Sequence, residues 1–230
     1  ALARMSGQRE EEEVGEEEEE EVEEYPLFPI DAQGHAMVPE GETELPENAF
    51  MSCWSLISIT LPASLTSIGD RAFSHCASLV LTSLPDGLTS IGDNAFFGCT
   101  SLALTSLPDG LTSIGDYALV NCRSFALTSL PDGLTSIGDG AFMGCTSLAL
   151  ANLPDGLTSI GAYAFVNCRS LALTSLPNGL TSIGNYAFMR RPYALSYAST
   201  RNPGGRISIA AWATKNVSTN IPSDIVRPKR

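Results

Sequence analysis

Six cysteines, Cys53, Cys76, Cys99, Cys122, Cys145 and Cys168, recur at a constant spacing of 23 residues, and the residues around them recur with them. A fixed period of this length marks a solenoid, in which one supersecondary unit is copied and stacked on its neighbours. The pattern restricts function as well as shape. Copies of one unit repeat the same chemistry along a surface and seldom bring unlike residues to one reacting atom.

The units begin at Leu61, Leu84, Leu107, Leu130, Leu153 and Leu176, each followed by proline, and the clearest reads LPDGLTSIGDNAFFGCTSLALTS from Leu84 to Ser106. A degenerate half unit with Leu45, Ala49, Phe50, Cys53 and Leu56 precedes them. The last unit keeps Ile183, Ala187 and Phe188 and breaks at Arg190-Arg191-Pro192. This divides the chain into an acidic tail (1–25), an amino-terminal cap or linker (26–44), the solenoid (45–189) and a basic carboxy-terminal cap and tail (190–230).

Within a unit, Pro85-Asp86-Gly87 is turn chemistry: proline fixes φ, aspartate bonds its own backbone, and Gly87 is expected at positive φ. Leu88 and Ile91 read as inward-facing residues of a short extended stretch. Asp93 then stands where it would cap a brief helical turn, with Asp70, Asp116 and Asp139 at the same place. The fifth unit has Ala162 there, and loss of such a cap typically costs about 1 kcal/mol. Ala95, Phe96 and Cys99 lie at i, i+1 and i+4, so one side of the turn faces a core. Leu102 and Leu104 read as the start of the next strand, its parallel neighbours about 4.8 Å away.

The fold class is thus an α/β repeat solenoid of short parallel strands and short helical turns. Its core ladder joins the six cysteines to Phe73, Phe96, Phe142, Phe165 and Phe188. The third unit exchanges two residues, with Leu119 in the phenylalanine column and Phe125 in a leucine column. A reciprocal swap that conserves volume is the core change tolerated best, so the two columns are expected to touch.

These residues resemble the BspA-like leucine-rich repeats, with their leucine-and-isoleucine strand, proline-led turn and L-x-x-I-G-x-x-A-F-x-x-C segment. The resemblance covers about 145 of the 230 residues. In the family an apolar residue stands six positions after the cysteine, as Ile59 does after Cys53, whereas the homogeneous units carry it at five, as in Cys99 to Leu104. The resemblance implies surface-exposed or secreted proteins of microbes and protists, some adhesive toward host or matrix proteins.

Every cysteine holds the same inward place, where a thiol acts as a small apolar residue. Neighbouring thiols on stacked turns point the same way, a poor geometry for a disulfide, and zinc requires clusters such as C-x-x-C that are absent here. Buried thiols without cross-links are expected, and neither a metal nor a cofactor. His75, beside Cys76, is a nucleophile partner in principle. Its equivalents Gly98, Asn121, Gly144 and Asn167 favour a solvent-facing residue. No triad, paired carboxylates or phosphate loop appears in the repeats, so the chain is not read as an enzyme.

Charge is uneven. Residues 1–60 carry −15, residues 61–189 carry −5 and residues 190–230 carry +7. The twelve glutamates between Glu10 and Glu24 repel one another and bury nothing, the composition of a solvated disordered tail. In the basic segment, Ile207 to Thr214 with Trp212 is a candidate cap for the last coil. Asn216-Val217-Ser218 fits a glycosylation acceptor, and Arg227-Pro228-Lys229-Arg230 is a short basic end. No run of 18 apolar residues spans a membrane, and the amino terminus shows no signal-peptide pattern. The compartment is therefore open.

Variation between units marks the candidate surface. Positions 71, 94, 117, 140, 163 and 186 read Arg, Asn, Tyr, Gly, Tyr and Tyr. The third and fifth units share Tyr117/Tyr163, Asn121/Asn167 and Arg123/Arg169, so a Tyr-Asn-Arg set recurs on alternate coils. Tyrosine and arginine are favoured interface residues. A Thr-Ser pair before each isoleucine, such as Thr89-Ser90, is read as a β-forming hydroxyl row whose bonds cross between strands. A glycan lattice or ice is the sharper alternative for that row.

The expected function is a non-catalytic protein-binding module of adhesive or surface-interaction type. It is expected to be a monomer with a protein partner, or a glycan or matrix surface, and no nucleic acid. Two alternatives stand beside it: an intracellular acidic-tract protein holding histones, and the scaffold of a larger multidomain protein.

Overall fold

The computed structural model describes residues 26–189. The acidic tract and the whole basic segment, including Trp212, Asn216 and Arg227, lie outside the described residues.

Short parallel strands build the described part. β1 (His35–Met37) pairs with β3 (Ser58–Thr60) in a small sheet. β2 (Glu44–Leu45), β4 (Ser67–Ile68), β5 (Ser90–Ile91), β6 (Ser113–Ile114), β7 (Ser136–Ile137), β8 (Ser159–Ile160) and β9 (Ser182–Ile183) form one seven-stranded ladder in chain order. Each step from β4 onward places a residue opposite its equivalent 23 positions on, so Ser67 faces Ser90 and Ile68 faces Ile91. The isoleucines turn inward, and Ile68, Ile91, Ile114, Ile137 and Ile160 are buried. Like residues thereby stack on like, and one dry core runs through every coil. Leu45 opens that core, while Phe28 stacks on Phe50 at 5.7 Å to cover its first coil.

The strand expected at Leu102 and Leu104 does not form. In the first coil Ile59, six residues after Cys53, is buried within β3 and aligned with β1. In later coils the apolar residue comes one place earlier, as at Leu81, Leu104, Leu127 and Leu150, all buried. Neighbouring coils are joined there by isolated bonds, Ala103 N to Leu81 O at 3.1 Å and Ala149 N to Leu127 O at 2.9 Å. A β-ladder needs successive evenly spaced bonds, so the one-residue displacement removes the strand.

No helix occurs among the described residues, and the helical turn expected after each Gly-Asp pair is corrected. Its amides alternate. Arg71, Phe73 and His75 donate to Asp93, Ala95 and Phe97 of the next coil at 2.8, 2.8 and 2.6 Å. Ala72, Ser74 and Cys76 donate back within their own coil to Gly69, Arg71 and Phe73 at 3.3, 2.9 and 3.0 Å. The alternation puts Arg71 and His75 at φ 54° and 63°, whereas a helix needs negative φ throughout.

The aspartates are not caps of their own turn. Asp93 Oδ1 accepts from the backbone N–H of Asp116 at 2.7 Å, one coil on, and Asp116 accepts in the same way from Asp139 at 2.7 Å. The Ala162 N–H donates this bond to Asp139 Oδ1 at 2.6 Å, but Ala162 has no carboxylate to accept from the sixth coil. Gly87 is corrected too. Its turn closes by Leu88 N donating to Pro85 O at 3.1 Å, and it is not among the residues at positive φ.

The aromatic column runs in two stretches. Phe50, Phe73 and Phe96 stack at 5.5 and 5.1 Å, and Phe142, Phe165 and Phe188 at 5.3 Å per step. Leu119 interrupts it, and Phe125 fills the gap by stacking on Phe142 at 6.1 Å with both residues fully buried. The two columns touch, as the reciprocal swap implied.

All six cysteines are buried and none is in a disulfide. Each later thiol has a partner on the preceding coil: Cys76, Cys99, Cys122, Cys145 and Cys168 donate to the carbonyls of Phe50, Phe73, Phe96, Leu119 and Phe142 at 2.9 to 3.2 Å. Burial, reinforced by the neighbouring Cys53, pushes the Cys76 thiol from 9.0 up to about 12. Burial also holds Cys99, Cys122 and Cys145 well above the usual range. A group raised in the folded state contributes stability below its unfolded value and loses it as pH climbs to the folded one. The urea midpoint should therefore fall between about pH 9 and about pH 12, and a Cys76→Ala variant should show a shallower fall. At pH 7.5 a thiol reagent should label the native chain slowly at every cysteine and all six rapidly in denaturant. Rapid labelling of the native ladder would contradict the dry core.

Candidate functional site

The wall after each aspartate has two left-handed positions per coil. The first row is Asn48, Arg71, Asn94, Tyr117, Gly140, Tyr163 and Tyr186, at φ between 54° and 60°. The second is Ser52, His75, Gly98, Asn121, Gly144 and Asn167, at φ between 59° and 78°. Two of the variable rows thus have an unusual backbone, while the row that holds Arg123 and Arg169 does not. Sequence reasoning found these rows by their variability. It missed their conformation, because the signal lies in a Gly/Asn preference that Tyr, Arg and His dilute.

That conformation divides the candidate residues. Asn121 and Asn167 sit at φ 60° and 61°, where asparagine is tolerated several-fold better than most side chains. Their presence follows from the backbone. Tyr117 and Tyr163, at φ 57° and 59°, have no such excuse, since a left-handed residue with a bulky Cβ costs roughly 1–2 kcal/mol. Accordingly, Asn121→Gly should leave stability within about 0.5 kcal/mol and Asn121→Ala should lower it by about 1 kcal/mol, measured by urea unfolding. Equal losses would mean that the asparagine side chain, and not its φ, matters.

The 46-residue alternation also has a packing reason. Tyr117 leans over the next coil, where a Cβ on Gly140 would lie 2.5 and 2.6 Å from its Cδ1 and Cε1. Asn121 Oδ1 leans over Gly144 in the same way, and His75 over Gly98. At these three places a larger side chain lies over a glycine of the next coil. Tyr163 meets no glycine and instead stacks on Tyr186 at 5.2 Å and 17°. Tyr117 and Tyr163 remain 37% and 38% exposed, and Arg123 and Arg169 are exposed on the same two coils.

Beside this wall a shallow groove of about 860 Å³ follows the seven-stranded ladder. Serines, glycines and the carboxylates of Glu44, Asp70, Asp93, Asp116 and Asp139 line it. The threonine hydroxyls are committed to packing. Thr66, Thr89, Thr112, Thr135, Thr158 and Thr181 each donate to the threonine carbonyl one coil back at 2.9 to 3.2 Å. His75 is exposed and tilted against Phe97 at 5.2 Å, while its neighbour Cys76 points into the core. Among the described residues no group of three or more His, Cys, Asp or Glu is placed to hold a metal, and no helix is long and apolar enough to cross a membrane.

Large apolar residues are also exposed on the opening coils, with Trp54, Ile57, Val80 and Met37 at 71%, 50%, 49% and 63%. Sequence reasoning did not single these residues out, because Trp54 and Ile57 read as part of a degenerate unit.

The BspA-type leucine-rich repeat model matches six copies, over residues 43–149 and 75–196. No curated protein matches the chain. Among solved structures, the leucine-rich repeat protein of T. pallidum is 30% identical with a TM-score of 0.57, over 69% of this chain and 78% of that one. A leucine-rich repeat protein from Bacteroides ovatus is 28% identical with a TM-score of 0.48, over 66% of this chain and 48% of that one. A leucine-rich cell surface protein from Faecalibacterium prausnitzii is 29% identical with a TM-score of 0.41, over 70% and 49%. The chain belongs to the BspA-type leucine-rich repeat family, a class of repeat scaffolds that generally bind proteins and are generally non-catalytic.

Proposed function

We propose that this chain is a protein-binding module of adhesive or surface-interaction type. Tyr117, Asn121 and Arg123, repeated as Tyr163, Asn167 and Arg169, carry its contact surface. One observation supports this above others: exposed tyrosines occupy left-handed positions that Gly140 and Asn94 fill more cheaply in the same row. Backbone strain of this kind collects at binding sites, where the gain comes from a ligand and not from the fold. Exposed tyrosine and arginine are also the residues enriched at interface hot spots. The rigid ladder beneath them keeps the two sets in fixed register, which lowers the ordering cost of binding.

The test uses the full chain with matrix-protein extracts and purified core histones as separate immobilised partners. Binding to matrix protein that falls at least tenfold in Tyr117→Asn/Tyr163→Asn, and survives deletion of residues 10–24, supports the reading. Binding to histones alone, abolished by that deletion, would favour the acidic-tract alternative.

A further inference from the structure

We infer that residues 202–214 form a seventh, capping coil that docks on the exposed edge of β9 and sets Trp212 on Tyr186. The inference goes beyond the protein-binding reading and does not depend on it.

Residues 202–214 lie outside the described part, but their order repeats the coil that precedes them. At a fixed offset of 26, Pro203, Gly205, Ser208, Ile209 and Ala213 match Pro177, Gly179, Ser182, Ile183 and Ala187. Trp212 falls on Tyr186, and Val217 falls in the cysteine column, three places after the phenylalanine column. The period of 23 hides this match. The link from Phe188 to Asn202 is three residues longer than the one from Phe165 to Leu176. An insertion of this kind lengthens a loop on one face and leaves the stacked unit intact.

The last described coil is built to receive a successor. β9 ends the seven-stranded ladder and has a neighbour on one side only among the described residues. Ile160 and Phe165 are 1% exposed, whereas Ile183 and Phe188, one coil on, are only partly buried. The opposite end has its cover already, where Phe28 stacks on Phe50. A solenoid end requires a terminal unit with a polar outer face. Arg206 and Thr214 would supply that face, since they stand in the columns of Leu180 and Phe188. In this register Ile207 N would donate to Thr181 O, as Thr181 N donates to Thr158 O at 2.8 Å. Trp212 would continue the stack of Tyr163 and Tyr186, whose centroids lie 5.2 Å apart. The occupant is the chain itself and not a second copy, because a short tether holds the segment at about millimolar effective concentration.

One mismatch gives the test its sign. Ala210 stands in the glycine column, where a Cβ on Gly184 would lie 2.5 Å from both the Ala162 Cα and the Gly161 carbonyl carbon. The seventh coil must therefore stand off at that corner, and glycine at 210 would let it close. In an unstructured or helical tail the same change does the reverse, because glycine for alanine loosens the backbone.

Amide hydrogen exchange of the full chain, read by mass spectrometry, tests the coil. Residues 203–213 should exchange at least about tenfold more slowly than in urea, and Ile209→Asp should erase that protection while β4 to β7 keep theirs. Ala210→Gly should raise the protection at least about threefold, whereas Ala213→Gly, in an inward column, should lower it. Exchange of 203–213 at the unfolded rate, or protection that survives Ile209→Asp, would overturn the coil. Loss of protection in both glycine variants would make the segment a helical cap and overturn it too. Protection that disappears on dilution, with dimers in sedimentation, would give the edge of β9 to a second copy and overturn the intrachain assignment. In a Trp54→Phe chain Trp212 is the sole tryptophan, and acrylamide should quench it less than when Ile209→Asp is added. Equal quenching would remove Trp212 from the tyrosine row.

Discussion

Replacing Gly115 by alanine should lower stability by about 3 kcal/mol or prevent folding, whereas alanine at Gly110, five residues earlier, should be neutral or mildly stabilising. The two glycines differ in what lies beside them. A Cβ on Gly115 would stand 2.5 Å from Asp93 Oδ1, 2.6 Å from the Gly92 carbonyl carbon and 2.8 Å from Asp93 N. Two of those atoms are backbone, held by the coil-to-coil bonds of Asp93 to Asp116 and of Gly115 N to Ile91 O at 2.9 Å. Nothing there yields cheaply. Gly138 is enclosed in the same way by the preceding coil. A Cβ on Gly110 would meet only Leu88 O at 3.6 Å and Asp86 O at 3.8 Å, ordinary contact distances, and its φ is not left-handed. Alanine there restricts the unfolded chain at no folded-state cost. The check is a pair of urea unfolding curves. Equal effects of the two substitutions would disprove the close approach of coils along the Gly-Asp row.

The second large effect is a coupling. Leu119→Phe should destabilise by about 2 kcal/mol, because its new ring would enter a space that Phe125 already fills. Phe125→Leu should cost about 1–2 kcal/mol through the cavity it opens beside Phe142. Together the substitutions restore the pattern of the neighbouring coils, in which Phe142 is followed by Leu148 and Phe96 by Leu102. The double variant should therefore return to within about 1 kcal/mol of the original chain, a coupling of about 2 kcal/mol. Strict additivity of the two single effects would mean that the columns do not share space. Unfolding should be followed by two probes, since repeat arrays can lose cooperativity and unfold coil by coil.

Much of this architecture was legible from one dimension. The 23-residue period assigned the inward columns, and every cysteine together with Phe50, Phe73, Phe96, Phe125, Phe142 and Phe165 lies in the core. The exchange of Leu119 and Phe125 reported a contact between columns without coordinates. Where the reading went astray, the deciding partner lay in another coil. Asp93 looks like a helix cap because it precedes a short turn, yet its acceptor oxygen serves an amide 23 residues away. The helix itself was inferred from Ala95, Phe96 and Cys99 on one side of a turn. Amides that bond alternately forward to the next coil and back within their own produce the same inward set with no helix. Leu102 and Leu104 carry strand-like residues, but a one-place shift in the apolar residue leaves too few bonds for a ladder.

The candidate surface was only half legible. Its positions stood out by variation, and Tyr117, Asn121, Tyr163 and Asn167 do lie on one wall at two repeating backbone positions. Their unequal meaning was hidden. Asparagine fits a left-handed backbone and tyrosine strains it, and φ cannot be read from a row that mixes Arg, Asn, Gly and Tyr. The exposure of Trp54, Ile57, Val80 and Met37 was invisible for a related reason. Burial of an apolar side chain depends on which wall of the coil it faces.

The sequence alone determined the repeat length, the direction of stacking and the identity of the buried columns, because an apolar side chain recurring at one period can bury itself only against its own copies. Tertiary structure decided where hydrogen bonds run, which glycines are obligatory and which tyrosines are strained. Those depend on the distance between coils, a quantity set by backbone contacts that no single unit contains.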